Sequence, residues 1–191
     1  MHSDLKFGKE TKRRNYDWVP YVIRWSIYIV IVCFIAFVFV WYLGHKVSCV
    51  GDSMKPVIQH GDVVLVNRFQ YDVRMPKRGE IIVFKPKGNQ QYHSSIKRVI
   101  GIPGDEVLIK GGNIYVNGEK SEAEYLTQPI QNPGLAAEPI KLDENEFFVL
   151  GDFSAGSEDS RMATVGNIKR SEIIGRAWLI VSPGKHFGKV E

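Results

Sequence analysis

The sequence has little of what staples a small domain together covalently. Its 191 residues hold only two cysteines, Cys33 and Cys49. Cys33 lies inside an apolar run and Cys49 just after it. If that run is helical, the residues between them span about 24 Å at roughly 1.5 Å per residue, whereas a disulfide needs Cα atoms within about 7 Å. There is no Cys-x-x-Cys pair and no His/Cys spacing of a zinc site. A disulfide framework and a metal centre are therefore not expected. Positive charge is equally scarce where nucleic-acid binding would require it. The net charge is +4, but residues 1–24 alone carry Lys6, Lys9, Lys12, Arg13, Arg14 and Arg24 against Asp4, Glu10 and Asp17. The rest of the chain has nineteen basic and eighteen acidic side chains. A nearly neutral domain lacks an electrostatic footprint for nucleic acid. No internal repeat is visible, and no long amphipathic helix follows residue 45.

One stretch lacks charge altogether. From Trp25 to Leu43 no ionisable acid or base other than Cys33 and the tyrosines interrupts the apolar sequence, and as a helix this run spans about 28 Å, close to the roughly 30 Å of a bilayer core. Trp18, Tyr21 and Trp25 at one end and Trp41 and Tyr42 at the other are placed like interfacial aromatic belts. A cleaved signal peptide would have a shorter apolar core followed by small residues at the cut, and a buried core helix would show a polar stripe; neither fits. The expected organisation is a basic cytoplasmic tail over 1–24, a transmembrane anchor over 25–44 and an extracytoplasmic domain over 45–191. The orientation follows from the basic residues preceding the span, against Lys46 alone just after it. Residues 1–16 read as a disordered tail.

The domain reads as mostly β. Short runs rich in β-branched residues recur between turn signals: Val63–Val66, Ile81–Phe84, Ile96–Ile100, Val107–Ile109, Ile114–Val116, Phe147–Leu150 and Ala177–Val181. Gly111-Gly112 reads as a hairpin turn and Asn117-Gly118 as a type I′ turn opening another. Residues 119–144, with Pro129, Pro133 and Pro139, read as a surface insertion.

Three polar clusters carry candidate chemistry. In Gly51-Asp52-Ser53-Met54-Lys55-Pro56, Ser53 sits in a turn about ten residues beyond the span; a serine there is a nucleophile only if a base lies within hydrogen-bond reach, and is otherwise a turn residue. In Ser95–Asp105, alternation puts Ile96, Arg98 and Ile100 on one face of a strand and Lys97 with Val99 on the other. A lysine buried there would lose part of its basicity and could serve as a general base; a lysine snorkelling from an edge strand is the plainer alternative. In Gly151–Arg161, a polar loop at a strand end, Asp159 and Arg161 are placed to pair and brace a site, or to form a solvated turn.

The order and spacing of these clusters, together with His60-Gly61-Asp62 before Val63–Asn67 and Arg78-Gly79-Glu80 before Ile81–Phe84, resemble the type I signal peptidases, in the shorter form found in Gram-positive bacteria. Lys97-Arg98-Val99-Ile100-Gly101-Ile102-Pro103-Gly104-Asp105 is the most specific element. The resemblance implies a membrane-bound serine endopeptidase with a β-rich catalytic domain facing outside the cell. It would cut signal peptides from exported preproteins by a Ser/Lys dyad through an acyl-enzyme, and would need no metal or organic cofactor. It makes Ser53 the nucleophile and Lys97 the base. Ser157 is the serine that orients the lysine, and Asp159 and Arg161 are a structural pair behind it. Gly51 stands where some members carry a second oxyanion donor. Cys49, Met54, Ile58 and Ile96 are implied to form shallow substrate pockets. Two departures stand out: Phe153-Ser154 replaces an Asn-Arg of the family, and Val57 replaces a threonine. Neither removes a dyad atom. A non-catalytic assembly factor for surface structures such as pili, a self-cleaving repressor and a hydrolase using His60 or His93 are the competing readings.

Overall fold

The computed structural model describes residues 18–86, 94–182 and 187–190; His93 and residues 1–16 lie outside this set. The chain divides into two compact units, 1–38 and 39–191. The first apolar segment forms helix α1, Val19–Leu43. It starts at Val19, earlier than Trp25, so Arg24 lies within the helix. The apolar Val19-Pro20-Tyr21-Val22-Ile23 is compatible with a first helical turn, because proline there forfeits an N–H that would have no intrahelical partner anyway. Over Val19–Tyr42 the helix is long and apolar enough to cross a membrane, and its apolar side chains after Val19 are exposed.

The second unit is built from β1 (His45–Ser48), β2 (Val63–Asn67), a short helix α2 (Phe69–Val73), β3 (Ile81–Phe84), β4 (Ser95–Gly101), β5 (Glu106–Lys110), β6 (Asn113–Val116), β7 (Glu119–Lys120), β8 (Ile140–Lys141), β9 (Glu146–Leu150), β10 (Ile168–Lys169), β11 (Ile173–Val181) and β12 (Phe187–Lys189). The large sheet runs β1-β2-β11-β3-β4-β9-β10, with β12 paired to β11; a smaller sheet runs β7-β6-β5-β8. All pairings are antiparallel, as short hairpin connections favour. The Gly111-Gly112 hairpin joins β5 to β6 through the Lys110–Asn113 pair. Asn117 and Gly118 take positive φ values of 53° and 83° between β6 and β7, the backbone that a type I′ turn requires. Residues 119–144 contain β7, a single-turn 3-10 segment Gly134–Ala137 and β8, and they bury Ile130, Ala136 and Leu142 in the core of the smaller sheet.

The placement of β4 matters most for the site. It lies between β3 and β9, with neighbours on both edges, and its side chains from Ile96 to Ile100 are all buried. It therefore feeds three apolar clusters at once: Ile96 joins Cys49, Met54 and Ile58; Ile100 joins the core of the smaller sheet; and Val99 packs with Ile82, Phe84 and Val149. With the side chains on both faces of β4 buried, there is no solvent face along which a lysine can snorkel, and Lys97 is enclosed.

Candidate active site

Ser53 stands on the turn that follows β1, and Lys97 on β4. The two are 44 residues apart, yet the Lys97 Nζ donates to Ser53 Oγ at 2.6 Å. Lys97 is only 6% exposed. Burial, the largest influence, pushes its pKa below that of a free lysine; the nearby Asp159, Cys49 and Glu158 oppose the shift, and Arg161 adds to it. The seryl hydroxyl is thus in contact with an amine that gives up its proton more readily than usual.

The turn that carries Ser53 is fixed by main-chain contacts. Cys49 and Asp62 close it at one end, with Cys49 N–H donating to Asp62 O at 2.7 Å and Gly61 N–H to Cys49 O at 2.9 Å. Gly51, at φ 91°, donates its N–H to His60 Nδ1 at 3.0 Å. That bond commits the Gly51 N–H and leaves His60 beside the turn. Ser53 Oγ itself is bonded to Lys97. Among the described residues the Ser53 N–H makes no hydrogen bond.

The loop after β9 grips the same turn from the other side. Phe153 N–H donates to Ser53 O at 3.0 Å. Asp152 forms a buried, two-armed pair with Arg98 (2.8 and 2.6 Å). Arg98 also donates to Gly79 O and lies 4.8 Å from the Tyr125 ring centre, a cation–π distance. One residue of β4 thereby anchors the loop that holds the neighbouring residue's partner. Asp159 and Arg161 form a second two-armed buried pair, at 2.8 and 2.9 Å. Asp159 also accepts the Gly151 N–H at 3.3 Å, and Arg161 donates to Ser154 O and Asn132 O. The pair stitches the 151–154 loop to the 119–144 segment.

Ser157 is buried close by, but its Oγ has no hydrogen-bond partner, so it does not reach Lys97 in this structure. It packs against Gly151, where an added Cβ would come within 2.5 Å of both Ser157 Oγ and Ser53 O. Gly151→Ala is expected to displace the Ser53 turn and lower turnover by about tenfold or more, since displacements near 1 Å cost about a hundredfold; unchanged kinetics with unchanged folding would show that the turn tolerates the shift. Cys49, Met54, Ile58 and Ile96 are all buried and packed in one cluster beneath the Ser53 turn. Among the described residues no group of three or more His, Cys, Asp and Glu converges on a metal position.

Residues 22–182 match the family model described as signal peptidase, peptidase S26. The chain belongs to the signal peptidase family. Similar members include the probable signal peptidase I-2 of Synechocystis, 36% identical over 142 residues, which covers 72% of this chain and 63% of that protein. The signal peptidase I of Bacillus caldolyticus is 32% identical over 194 residues, covering 94% and 96%. The signal peptidase I P of Bacillus subtilis subsp. natto is 30% identical over 184 residues, covering 93% and 95%. This chain thus spans under two thirds of the Synechocystis relative and nearly all of the two Bacillus proteins. Within this signal peptidase family member the Phe153-Ser154 departure has a structural context. The loop touches Ser53 through the main-chain N–H of Phe153, a bond that does not depend on the side chain. The sequence alone left unrecognised the Arg98–Asp152 pair, the role of Phe153 N–H and the Gly51–His60 bond. A signal for the first was present in an arginine next to Lys97 and an aspartate at the end of another apolar strand.

Proposed function

We propose that this chain is a membrane-anchored serine endopeptidase that removes N-terminal signal peptides from exported preproteins, with Ser53 as nucleophile and Lys97 as general base. The observation that carries the reading is the 2.6 Å contact between Nζ and Oγ with the lysine enclosed. Along that line a neutral amine accepts the hydroxyl proton as Oγ attacks the scissile carbonyl. The negative charge on the former carbonyl oxygen meets the Ser53 N–H, a donor preorganised for it. The protonated Lys97 then gives its proton to the departing amine of the mature protein, leaving the signal peptide as an ester on Ser53. A water whose proton passes to neutral Lys97 cleaves that ester and regenerates the hydroxyl. Asp159, Arg161, Arg98 and Asp152 hold the loop and the strand in register. Cys49, Met54, Ile58 and Ile96, buried beneath the turn, back the wall against which small substrate side chains pack.

Helix α1 is the anchor, with the N-terminus in the cytoplasm and residues 45–191 outside. Confining enzyme and preprotein to one membrane raises their effective concentration at the place where the cut site emerges.

The test is incubation of the full chain, in lipid vesicles, with a preprotein, followed by N-terminal sequencing of the product. Cleavage after a small residue at the end of the signal peptide, lost in Ser53→Ala, is the expected result. Equal cleavage by Ser53→Ala would overturn the assignment.

A further inference from the structure

The dyad leaves one motif of the sequence unused, His60-Gly61-Asp62, and in the fold this motif lies beside Ser53. Gly61 takes φ 87°, so the chain turns sharply between His60 and Asp62 and runs back along Cys49–Gly51. Two main-chain bonds join the segments, Gly61 N–H to Cys49 O and Cys49 N–H to Asp62 O. Asp62 is buried and secured from its far side. One of its carboxylate oxygens accepts the Gln59 N–H at 2.8 Å, and the other accepts the Ser182 hydroxyl at 2.7 Å. Ser182 Oγ in turn accepts the Val63 N–H at 3.0 Å. The motif is thus tied to the start of β2 and the end of β11, two strands that lie side by side within the large sheet. It is held independently of the turn that carries the nucleophile.

The His60 side chain reaches back to that turn. Its Nδ1 accepts the Gly51 N–H at 3.0 Å, two residues before Ser53. A ring nitrogen that accepts carries no proton, so in this contact the imidazole hydrogen sits on Nε2. Packing does little to hold Gly51 in place. The space where a Cβ would lie is open, and the Gly51 carbonyl meets the Cys49 thiol at a long 3.7 Å. The imidazole bond is therefore the close polar contact that fixes the main chain at this point. On the other side of the nucleophile, Ser53 O accepts the Phe153 N–H. The turn is gripped on both flanks of Ser53, by a ring on one and a main-chain N–H on the other.

We propose that His60 is a positioning residue for the nucleophile: by accepting the Gly51 N–H through Nδ1 it sets the course of the chain into Ser53, and so the approach of Oγ to Lys97 Nζ. Peptide units are rigid, so only a few soft dihedrals separate the plane fixed at Gly51 from the Ser53 backbone. Small displacements of a reacting group are costly in rate, which makes a bond so near the hydroxyl count in turnover. The same contact separates His60 from the base of a Ser/His pair, because its Nδ1 is engaged by Gly51 while Ser53 Oγ meets Lys97.

The inference rests on the peptidase reading, and its test separates the two. Leucine places a methyl where imidazole has Nδ1, and asparagine places an oxygen at the same branch, so His60→Leu removes the acceptor and His60→Asn keeps it. His60 is exposed, and matching melting temperatures establish that both variants keep the fold. Exchange of the Gly51 amide is followed by nuclear magnetic resonance on the full chain in detergent micelles, and kcat and KM are measured on a preprotein. In His60→Leu the Gly51 amide is expected to exchange several-fold faster, and kcat to fall by about tenfold with KM little changed. His60→Asn is expected to recover most of both. A His60→Leu variant with parental kcat overturns the positioning role, and so does a His60→Asn variant as slow as His60→Leu, which would make ring packing the cause. A parent chain whose His60 carries its proton on Nδ1 at alkaline pH overturns it without any variant. Equal cleavage by Ser53→Ala removes the peptidase reading and the role of His60 with it, whereas parental kcat in His60→Leu with Ser53→Ala inactive removes only the latter.

Discussion

Lys97→Met is expected to lower cleavage of a preprotein by at least about a thousandfold, as loss of a member of a catalytic unit does elsewhere, without lowering the stability of the domain. The side chain is enclosed between the Ser53 turn and an interior strand, so methionine fills nearly the same space while carrying no charge to bury. The lysine, by contrast, is bound in the folded chain with its pKa below the unfolded value, because burial penalises its ammonium form. Between the two pKa values the unfolded chain holds more protons than the folded one, and stability therefore rises with pH across that interval. Below the folded pKa both states are protonated and the folded state bears the full penalty. Lys97→Met removes this dependence, and denaturant titrations at several pH values should show a flatter profile on the alkaline side than the parent chain. The activity of the parent carries the same signature. Only the neutral amine accepts the Ser53 proton, so kcat/KM should climb as pH rises through the lowered pKa and reach its plateau below the roughly 10.4 of a free lysine. A rate that climbs only near that value would show that enclosure does not tune the base.

The second large effect is on stability. Asp152→Ala leaves the Arg98 guanidinium enclosed without its carboxylate, and breaking a buried pair from one side costs about 3–5 kcal/mol. In a chain of this size each kcal/mol lowers the melting temperature by about 2–4 °C, so a fall on the order of 10 °C is expected by calorimetry. The same substitution frees the loop that donates to Ser53 O, and activity should fall at temperatures well below the transition. Arg98→Met combined with Asp152→Leu should regain most of the lost stability, because a buried pair replaced by apolar side chains of similar volume costs little. It should not regain the activity if the loop is the element that matters. A melting temperature within a degree or two of the parent in Asp152→Ala would mean that water or Tyr125 compensates the guanidinium.

The strands were the most legible part of the molecule. Val63–Val66, Ile81–Phe84 and Phe147–Leu150 fall within β2, β3 and β9, and the Gly111-Gly112 and Asn117-Gly118 turns lie where their backbone preferences put them. Such features are decided within a few residues. The short pieces β7, β8 and β10, two residues each, exist only because a partner strand is already in place, and no local pattern announces them. Alternation divides β4 into two faces without saying which is exposed, and in the fold both are buried. Lys97 was therefore ambiguous until the sheet order was known. The Arg98–Asp152 pair joins residues 54 positions apart, and only the adjacency of β4 and β9 brings them together. The start of α1 at Val19 was missed because Arg24 breaks the uncharged run while leaving the helical backbone intact. The Ser157 hydroxyl, which the family resemblance places on Lys97, is instead an orphan beside Gly151.

The central position of β4 has one more consequence. Its backbone is paired on both edges, so it opens only when the large sheet itself comes apart, whereas the Ser53 turn is held by single bonds to the His60 ring, the Phe153 N–H and the Cys49–Asp62 closure. Free energies of local opening differ widely within one domain, and such turns lie toward the low end. Opening of the turn is therefore expected to part the proposed nucleophile from Lys97 while β4 stays paired. The proposed dyad thus joins a residue on a doubly paired strand to one on a more lightly held turn.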